Sequence, residues 1–267
     1  MSRPLFVQTL RDLGLRTLVL AGVTFAWGWL MVFMFTTFSP AMRQLVQGNP
    51  MFERFSEFAS GNFFTLPGAI TLGFQHPLLI AMIAVVAAGA SAVAIAGERE
   101  AGTLELLLAR PISRRRLYVS VLLAQLLVVA LLLLTTLAGM ITGTFVHGLS
   151  GEVALARMPW VFANGLLLWA SFTAFGLAAS VSFDRSGPAL SLSLGWLFLH
   201  YFLEVLGSLW ADARWTQDVS LIHRFRANDL LTGDATVLDF VVPGATFLVL
   251  VAYALVVFPR RDLAAPS

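Results

Sequence analysis

The sequence is dominated by apolar stretches that are long enough to cross a lipid bilayer. A helix needs about 20 apolar residues to span the hydrocarbon core, and six stretches are predicted as spans: residues 17–38, 77–97, 117–146, 160–183, 188–207 and 240–258. Charged residues make up only 12% of the chain, about half of their share in soluble domains. The sequence therefore predicts an all-α integral membrane protein, with residues 1–267 forming a single transmembrane domain.

The arginines between the spans predict the orientation in the membrane. With the N-terminus, residues 97–116, residues 184–187 and the C-terminus on one side, 11 of the 17 basic residues lie there. Cytoplasmic loops carry an excess of Lys and Arg. We therefore expect both termini in the cytoplasm, with the chain crossing the inner (plasma) membrane six times.

Two absences in the composition exclude classes of function. All basic residues are Arg, so the chain has no phosphate-binding loop of the kind that ends in Lys-Ser/Thr and cannot be an ordinary ATP-hydrolysing subunit. It contains no Cys, which excludes thiolate metal sites and thiol nucleophiles. The four His residues lack metal-ligand spacing, and no basic face interleaved with aromatic residues suggests nucleic acid. We expect no catalytic, cofactor or metal site, and no nucleic-acid partner.

Two segments outside the spans have a helical pattern. Residues 2–16 are moderately amphipathic, which favours an interfacial helix on the lipid headgroups; the alternative is a simple extension of the first span. In the external segment 39–75, residues 51–58 place aromatic and charged side chains on opposite faces. This pattern fits a helix on the outer leaflet or a loop that caps the bundle.

The polar segment after the second span, residues 97–116, is unusually rich in charge, and we call it the motif segment. It holds five Arg and three Glu residues between two apolar spans. Gly102 and Thr103 favour a turn, Pro111 would end a short helix, and Ser113 could cap the next one. The Arg114–Arg116 triplet would hold the third span at an anionic leaflet. The alternative is a solvated turn whose charge only sets topology.

The pattern Glu-Arg-Glu-x-Gly-Thr-Leu-Glu-x-Leu-Leu-x-x-Pro-x-Ser-Arg at Glu98–Arg114 resembles the first cytoplasmic loop of ABC-2 type permeases, the membrane subunits of ATP-binding-cassette exporters. The resemblance implies a cytoplasmic coupling helix between helices 2 and 3 that docks on a separate ATPase, which would bind ATP and Mg²⁺. It also implies an N-terminal interfacial helix and a homodimer of the permease. The residues it assigns to coupling are Glu98, Arg99, Glu100, Gly102, Thr103, Glu105 and Arg110.

One ionisable pair lies within a predicted span. His200 and Glu204 are four residues apart and share a face of the fifth helix. Ionisable groups in a bilayer favour a functional role, so the pair is a candidate for the translocation path. The alternative is that Glu204, close to the helix end, reaches the outer headgroups. In ABC-2 permeases the second and fifth helices face each other across the dimer, which supports the first interpretation.

The sequence therefore favours the permease subunit of an ABC exporter, driven by ATP hydrolysis on another chain. A non-transporting scaffold or assembly factor that uses the motif segment to hold a cytosolic ATPase is the alternative. A secondary transporter would need ion-coupling acids at the middle of the membrane, and the sequence offers none. The nature of the transported substrate does not follow from the sequence.

Overall fold

The computed structural model describes residues 2–46, 65–109 and 112–261, and regular structure in these ranges is helical. The helices are α1 (Arg3–Val46), α2 (Leu66–Gln75), α3 (Pro77–Val93, π-helical at Val85–Ala90), α4 (Ala96–Glu100), α5 (Leu104–Leu108), α6 (Arg114–Val146), α7 (Met158–Ser182), α8 (Ser186–Leu209), α9 (Trp215–Val219), α10 (Ala227–Thr232) and α11 (Leu238–Arg260). Short 3-10 turns lie at Leu155–Arg157, Ala211–Ala213 and Ile222–Arg224.

The predicted all-helical membrane fold is confirmed. In the described ranges, five helices are long and apolar enough to cross a membrane, and the bent pair of α2 and α3 makes a sixth span if it is counted as one. The single helices are α1, α6, α7, α8 and α11. Four of them, from α6 onward, begin and end within a few residues of the predicted spans because their apolar runs are bounded by charge, Gly or Pro.

The N-terminal residues do not form a helix separate from the first span. α1 continues for 44 residues, which corresponds to about 66 Å, so residues 3–16 extend the span beyond the thickness of the hydrocarbon. No proline interrupts the chain between Pro4 and Pro40, and nothing else removes a backbone donor. The structure thus agrees with the extension and not with a distinct interfacial helix. The predicted helix at residues 51–58 lies outside the described residues.

The second span has a different start from the predicted one. Residues 66–75, assigned from sequence to an external segment, form the largely buried helix α2. Pro77 then bends the chain by 46° between α2 and α3, since the residue before a proline favours extended backbone, as His76 adopts. Thr65 and His76 cap the two helices through their side chains. The sequence pattern missed α2 because it is short and contains Gly, Thr and Gln.

α1 and α6 pack with their backbones in close contact. A Cβ atom on Gly139 would lie 2.0 Å from the carbonyl oxygen of Phe25, and one on Gly28 would lie 2.1 Å from that of Thr136. Small residues allow this approach where lipid removes the usual hydrophobic drive between helices. A side-chain hydrogen bond of 2.7 Å joins Thr24 to Thr135 across the same contact, as expected for hydroxyls within spans.

The bundle has two distinct ends. At one, which we call the motif end, the backbone N–H of Ser2 donates to Oγ of Ser120 near the start of α6, and Asp184 pairs with Arg99 and Arg261. At the other, residues 210–237 pack on α2, α7 and α8; we call them the cap. The first and last described residues therefore lie at the same end of the molecule.

Candidate functional site

The motif segment begins at a break in the second span. After Val93 the helix is interrupted, and the backbone N–H groups of Ile95 and Ala96 each donate to Oγ of Ser180 on α7, at 2.9 Å. Ser180 is buried, so it satisfies two donors that would otherwise lack a partner in the core. The start of α4 is thereby fixed to the fourth span.

Gly102 ends α4 in a left-handed turn. Its φ is 70°, its N–H donates to the carbonyl of Arg99, and the N–H of Thr103 donates to that of Glu98. These two bonds define a Schellman motif, in which glycine avoids the penalty of a side chain at positive φ. The Thr103 hydroxyl also donates to the Glu98 carboxylate. The turn predicted from Gly102 and Thr103 is thus present, and Glu98 stabilises it.

The short helix α5 divides its side chains between core and solvent. Leu104 is buried against α6, whereas Glu105 and Leu106 are exposed, Leu106 to 71%. An exposed leucine beside a carboxylate, on a helix anchored by a buried neighbour, can contact another protein. Arg110, the last predicted coupling residue, lies outside the described residues.

Arg99 on α4 forms an ion pair with the turn between the fourth and fifth spans. Its guanidinium contacts Asp184 in the turn between α7 and α8 at 3.0 Å, and the same carboxylate oxygen accepts from Arg261 at 2.7 Å. Arg261 in turn donates to the carbonyl of Val181 at the end of α7. The carboxylate of Asp184 thus joins α4 to the ends of α7 and α11.

Glu100 caps the fifth span. Its carboxylate accepts from both the backbone N–H, at 3.0 Å, and the hydroxyl of Ser186, the first residue of α8. A negative charge at a helix N-terminus is stabilised by the unpaired N–H groups and the helix dipole. The hydrogen bond from the Ser186 side chain, followed by that from its backbone, lowers the pKa of Glu100 below its ordinary value.

The arginine triplet opens α6. Ser113 caps this helix by accepting from the N–H of Arg116, as predicted. Arg114 donates to three carbonyl oxygens at the end of α11, the shortest at 2.6 Å to Arg261, and Arg115 donates to that of Leu255. A cation at a helix C-terminus satisfies carbonyls that lack helical partners. Arg114 and Arg115 thus have a structural role at the end of α11, and the role of the triplet at the lipid surface stays a prediction.

His200 and Glu204 lie at the opposite end, under the cap, and are exposed to only 4% and 3%. Glu204 contacts His223 at 3.1 Å and accepts from Gln217 at 3.2 Å. The His200 ring accepts from the backbone N–H of Leu221 at 3.0 Å. The pair therefore fastens the cap to α8, and Glu204 does not reach past the cap to the membrane surface.

The sequence interpretation missed the partners of the motif segment. Asp184, Ser186 and Ser180 were assigned to a minimal turn or to the spans, and Arg261 to the chain end. One signal was available. Asp184 lies in a very short turn that was predicted on the same side as the motif segment, so its charge has to stay close to that segment. Which residues pair could not be read from spacing, since the motif residues and their partners lie 84 to 147 positions apart in sequence.

These features define a multi-span helical membrane protein with a polar bridging segment between its second and third spans. The family model described as ABC-2 family transporter protein matches residues 14–263. The chain therefore belongs to the ABC-2 transporter family, and it is the membrane permease of such a system, not its ATPase. A comparison with curated proteins gave no match.

Proposed function

We propose that this chain is the membrane subunit of an exporter that receives motion from a separate ATPase through the motif segment. The ATPase would bind ATP and Mg²⁺, and the permease would alternate the exposure of a path through the membrane. The motif end would face the cytoplasm, with both termini, in the inner membrane. The charge distribution supports this orientation, because 11 of the 17 arginines then lie inside.

The observation that carries the proposal is the way α4 and α5 are held. Ser180 fixes the start of α4 to α7, Glu100 fixes its end to α8, and Arg99 reaches α11 through Asp184. α5 then presents Glu105 and Leu106 to solvent. A force applied to the exposed side of α5 would be passed to three spans at once, as coupling to a soluble motor requires.

A homodimer is also proposed, following the resemblance to ABC-2 permeases. α8 supports it, because Leu194, Phe198 and Phe202 are exposed on the protomer surface. His200 and Glu204 stay a prediction as path residues. Their hydrogen bonds with the cap favour a role in holding α8 to the cap. In that role they would influence the path by setting the position of α8.

The decisive experiment reverses the charge of Glu105. Glu105→Arg should weaken ATPase binding by at least about tenfold, the loss expected when a contact residue becomes repulsive, without affecting insertion. An ATP-binding-cassette subunit encoded in the neighbouring reading frame is the first partner to test, by titration onto the permease in nanodiscs. Glu100→Arg is a second variant, but it also removes the carboxylate that accepts hydrogen bonds from Ser186 at the start of α8.

Glu152→Arg is the matched control, since Glu152 is an exposed acid at the opposite end. If Glu105→Arg and Glu152→Arg bind the ATPase equally well, the coupling role of α5 is wrong. Binding alone does not separate the scaffold alternative, because a scaffold would also lose the ATPase with Glu105→Arg. ATP hydrolysis and transport assays do separate it. Its wild-type form would not raise ATP hydrolysis or move any compound across vesicles.

A further inference from the structure

A cavity of about 510 Å³ opens near the motif end. Its wall is formed by one side of α1, the middle and end of α3, the start of α4, α5, the first half of α6 and Leu190 of α8. Val85 and Val93 line it and are themselves exposed on the surface of the second span, so the cavity opens sideways towards lipid. Its volume lies within the range of about 300–1,000 Å³ for small-molecule sites. None of the predicted path residues contributes to it.

Two polar groups in this wall are buried and unsatisfied. Gln125 on α6 is 2% exposed and Thr17 on α1 is 8% exposed. Neither Oε1 of Gln125 nor Oγ1 of Thr17 finds a hydrogen-bond partner among the described residues. Buried polar atoms nearly always have one, and both side chains line the cavity. A ligand that donates hydrogen bonds would satisfy them.

The rest of the lining indicates the character of that ligand. Leu13, Val86 and Val121 make the wall apolar. The ionisable groups in the lining are Asp12, Glu98 and Arg16, so two carboxylates stand against one guanidinium. This balance favours a neutral or cationic polar group over an anionic one.

The wall on α3 is also irregular. Residues 85–90 form a π-helix, a feature found mostly at functional sites. Two of its carbonyls accept from serine hydroxyls: that of Val86 from Ser91 at 3.2 Å, and that of Ala88 from Ser193 on α8 at 3.1 Å. The widened turn is thus held in place by partners outside the cavity.

We propose that this cavity binds an amphiphile whose neutral or cationic polar group donates hydrogen bonds to Gln125 and Thr17, while its apolar body extends through the side opening towards lipid. The source is either a bilayer lipid with an ammonium head or a soluble compound of the same chemistry. The inference concerns binding alone and requires no ATPase, so it can fail independently of the proposed coupling.

The test uses the absence of cysteine from the chain. Thr9→Cys introduces a thiol in the lining, and Val7→Cys places one on the same helix outside it. Each variant is reacted with N-ethylmaleimide in phosphatidylcholine nanodiscs, whose lipid head lacks N–H donors. Dodecylammonium should slow modification of the Thr9→Cys variant at least about tenfold and leave the Val7→Cys variant unchanged, whereas dodecanoate at the same concentration should protect neither.

Adding Gln125→Leu to the Thr9→Cys variant should raise the dodecylammonium concentration needed for half-protection by about fivefold, the effect of one hydrogen bond. Thr144→Val, which removes a hydroxyl of α6 that lies outside the cavity and donates to the carbonyl of Met140 in its own helix, should leave it unchanged. Protection of the lining thiol on adding phosphatidylethanolamine alone would identify a lipid occupant, and protection only by dodecylammonium a soluble one. Equal modification of that thiol with every amphiphile, or equal protection by dodecanoate, would overturn the proposal.

Discussion

The two ends of this permease use polar side chains in opposite ways. At the motif end the shared carboxylate of Asp184 is 53% exposed, and its ion pairs join helix ends in a wet environment, where such pairs contribute little to stability. At the cap end Glu204 and His200 are almost fully buried and bound by the cap. We infer that the cap end holds the bundle together, whereas the motif end sets the relative positions of its spans.

The largest expected effect tests the buried end. Glu204→Ala should lower the free energy of unfolding by about 3 kcal/mol, because it removes the buried acceptor that contacts His223 and one of the two acceptors of Gln217. Thermal unfolding in detergent measures the loss. Glu152→Ala, the removal of an exposed acid at the same end, should change stability by less than about 0.5 kcal/mol.

Equal losses for these two variants would remove the distinction between the ends. Glu204→Gln keeps an oxygen acceptor and should cost less than the alanine variant. It also tests the path prediction: if the acid acts on transport, Glu204→Gln alters transport and leaves ATPase binding unchanged. Wild-type transport of every candidate compound would exclude Glu204 from the path.

A matched pair of glycines sharpens the comparison. Gly102 at the motif end and Gly148 at the other both have φ of 70° with nothing within 4 Å of an added Cβ, and both end a helix with the same pair of backbone bonds. Alanine at either position should cost about 1 kcal/mol in unfolding free energy. Only Gly102→Ala should also reduce ATPase stimulation, since it alters the turn that leads into α5. Equal reductions of ATPase stimulation by Gly102→Ala and Gly148→Ala would contradict the coupling role of the motif segment.

The smallest expected effect is on pH dependence at Glu100. Its pKa is lowered by the hydrogen bonds from Ser186, so its stabilising contribution is complete above the ordinary glutamate pKa. It is lost as the pH falls through the lowered value. The difference in thermal midpoint between wild type and Glu100→Gln should therefore be present at neutral pH and disappear in acid. Glu105→Gln, on exposed α5, serves as the control. A difference in thermal midpoint that does not depend on pH would show that the Glu100 carboxylate does not stabilise the start of α8.

Much of the fold follows from local patterns. Apolar length predicted α6, α7, α8 and α11, and Ser113 and Gly102 were identified because capping and positive φ depend on single residues. α2 was missed because no apolar run of bilayer length marks it. In the motif segment, the residues were predicted but their partners were not, because Ser180 and Asp184 are brought there by packing of distant helices.

The π-helix at residues 85–90 lies between the bend at Pro77 and the motif segment. It holds one residue more than an α-helical turn would, so a shift to α-helical geometry would rotate α4 by about 100° and move it by about 1.5 Å relative to α2. The hydrogen bonds from Ser91 and Ser193 to its carbonyls oppose that shift. A single surplus residue, held by these two bonds, thus sets the rotational register of the second half of the second span relative to the first.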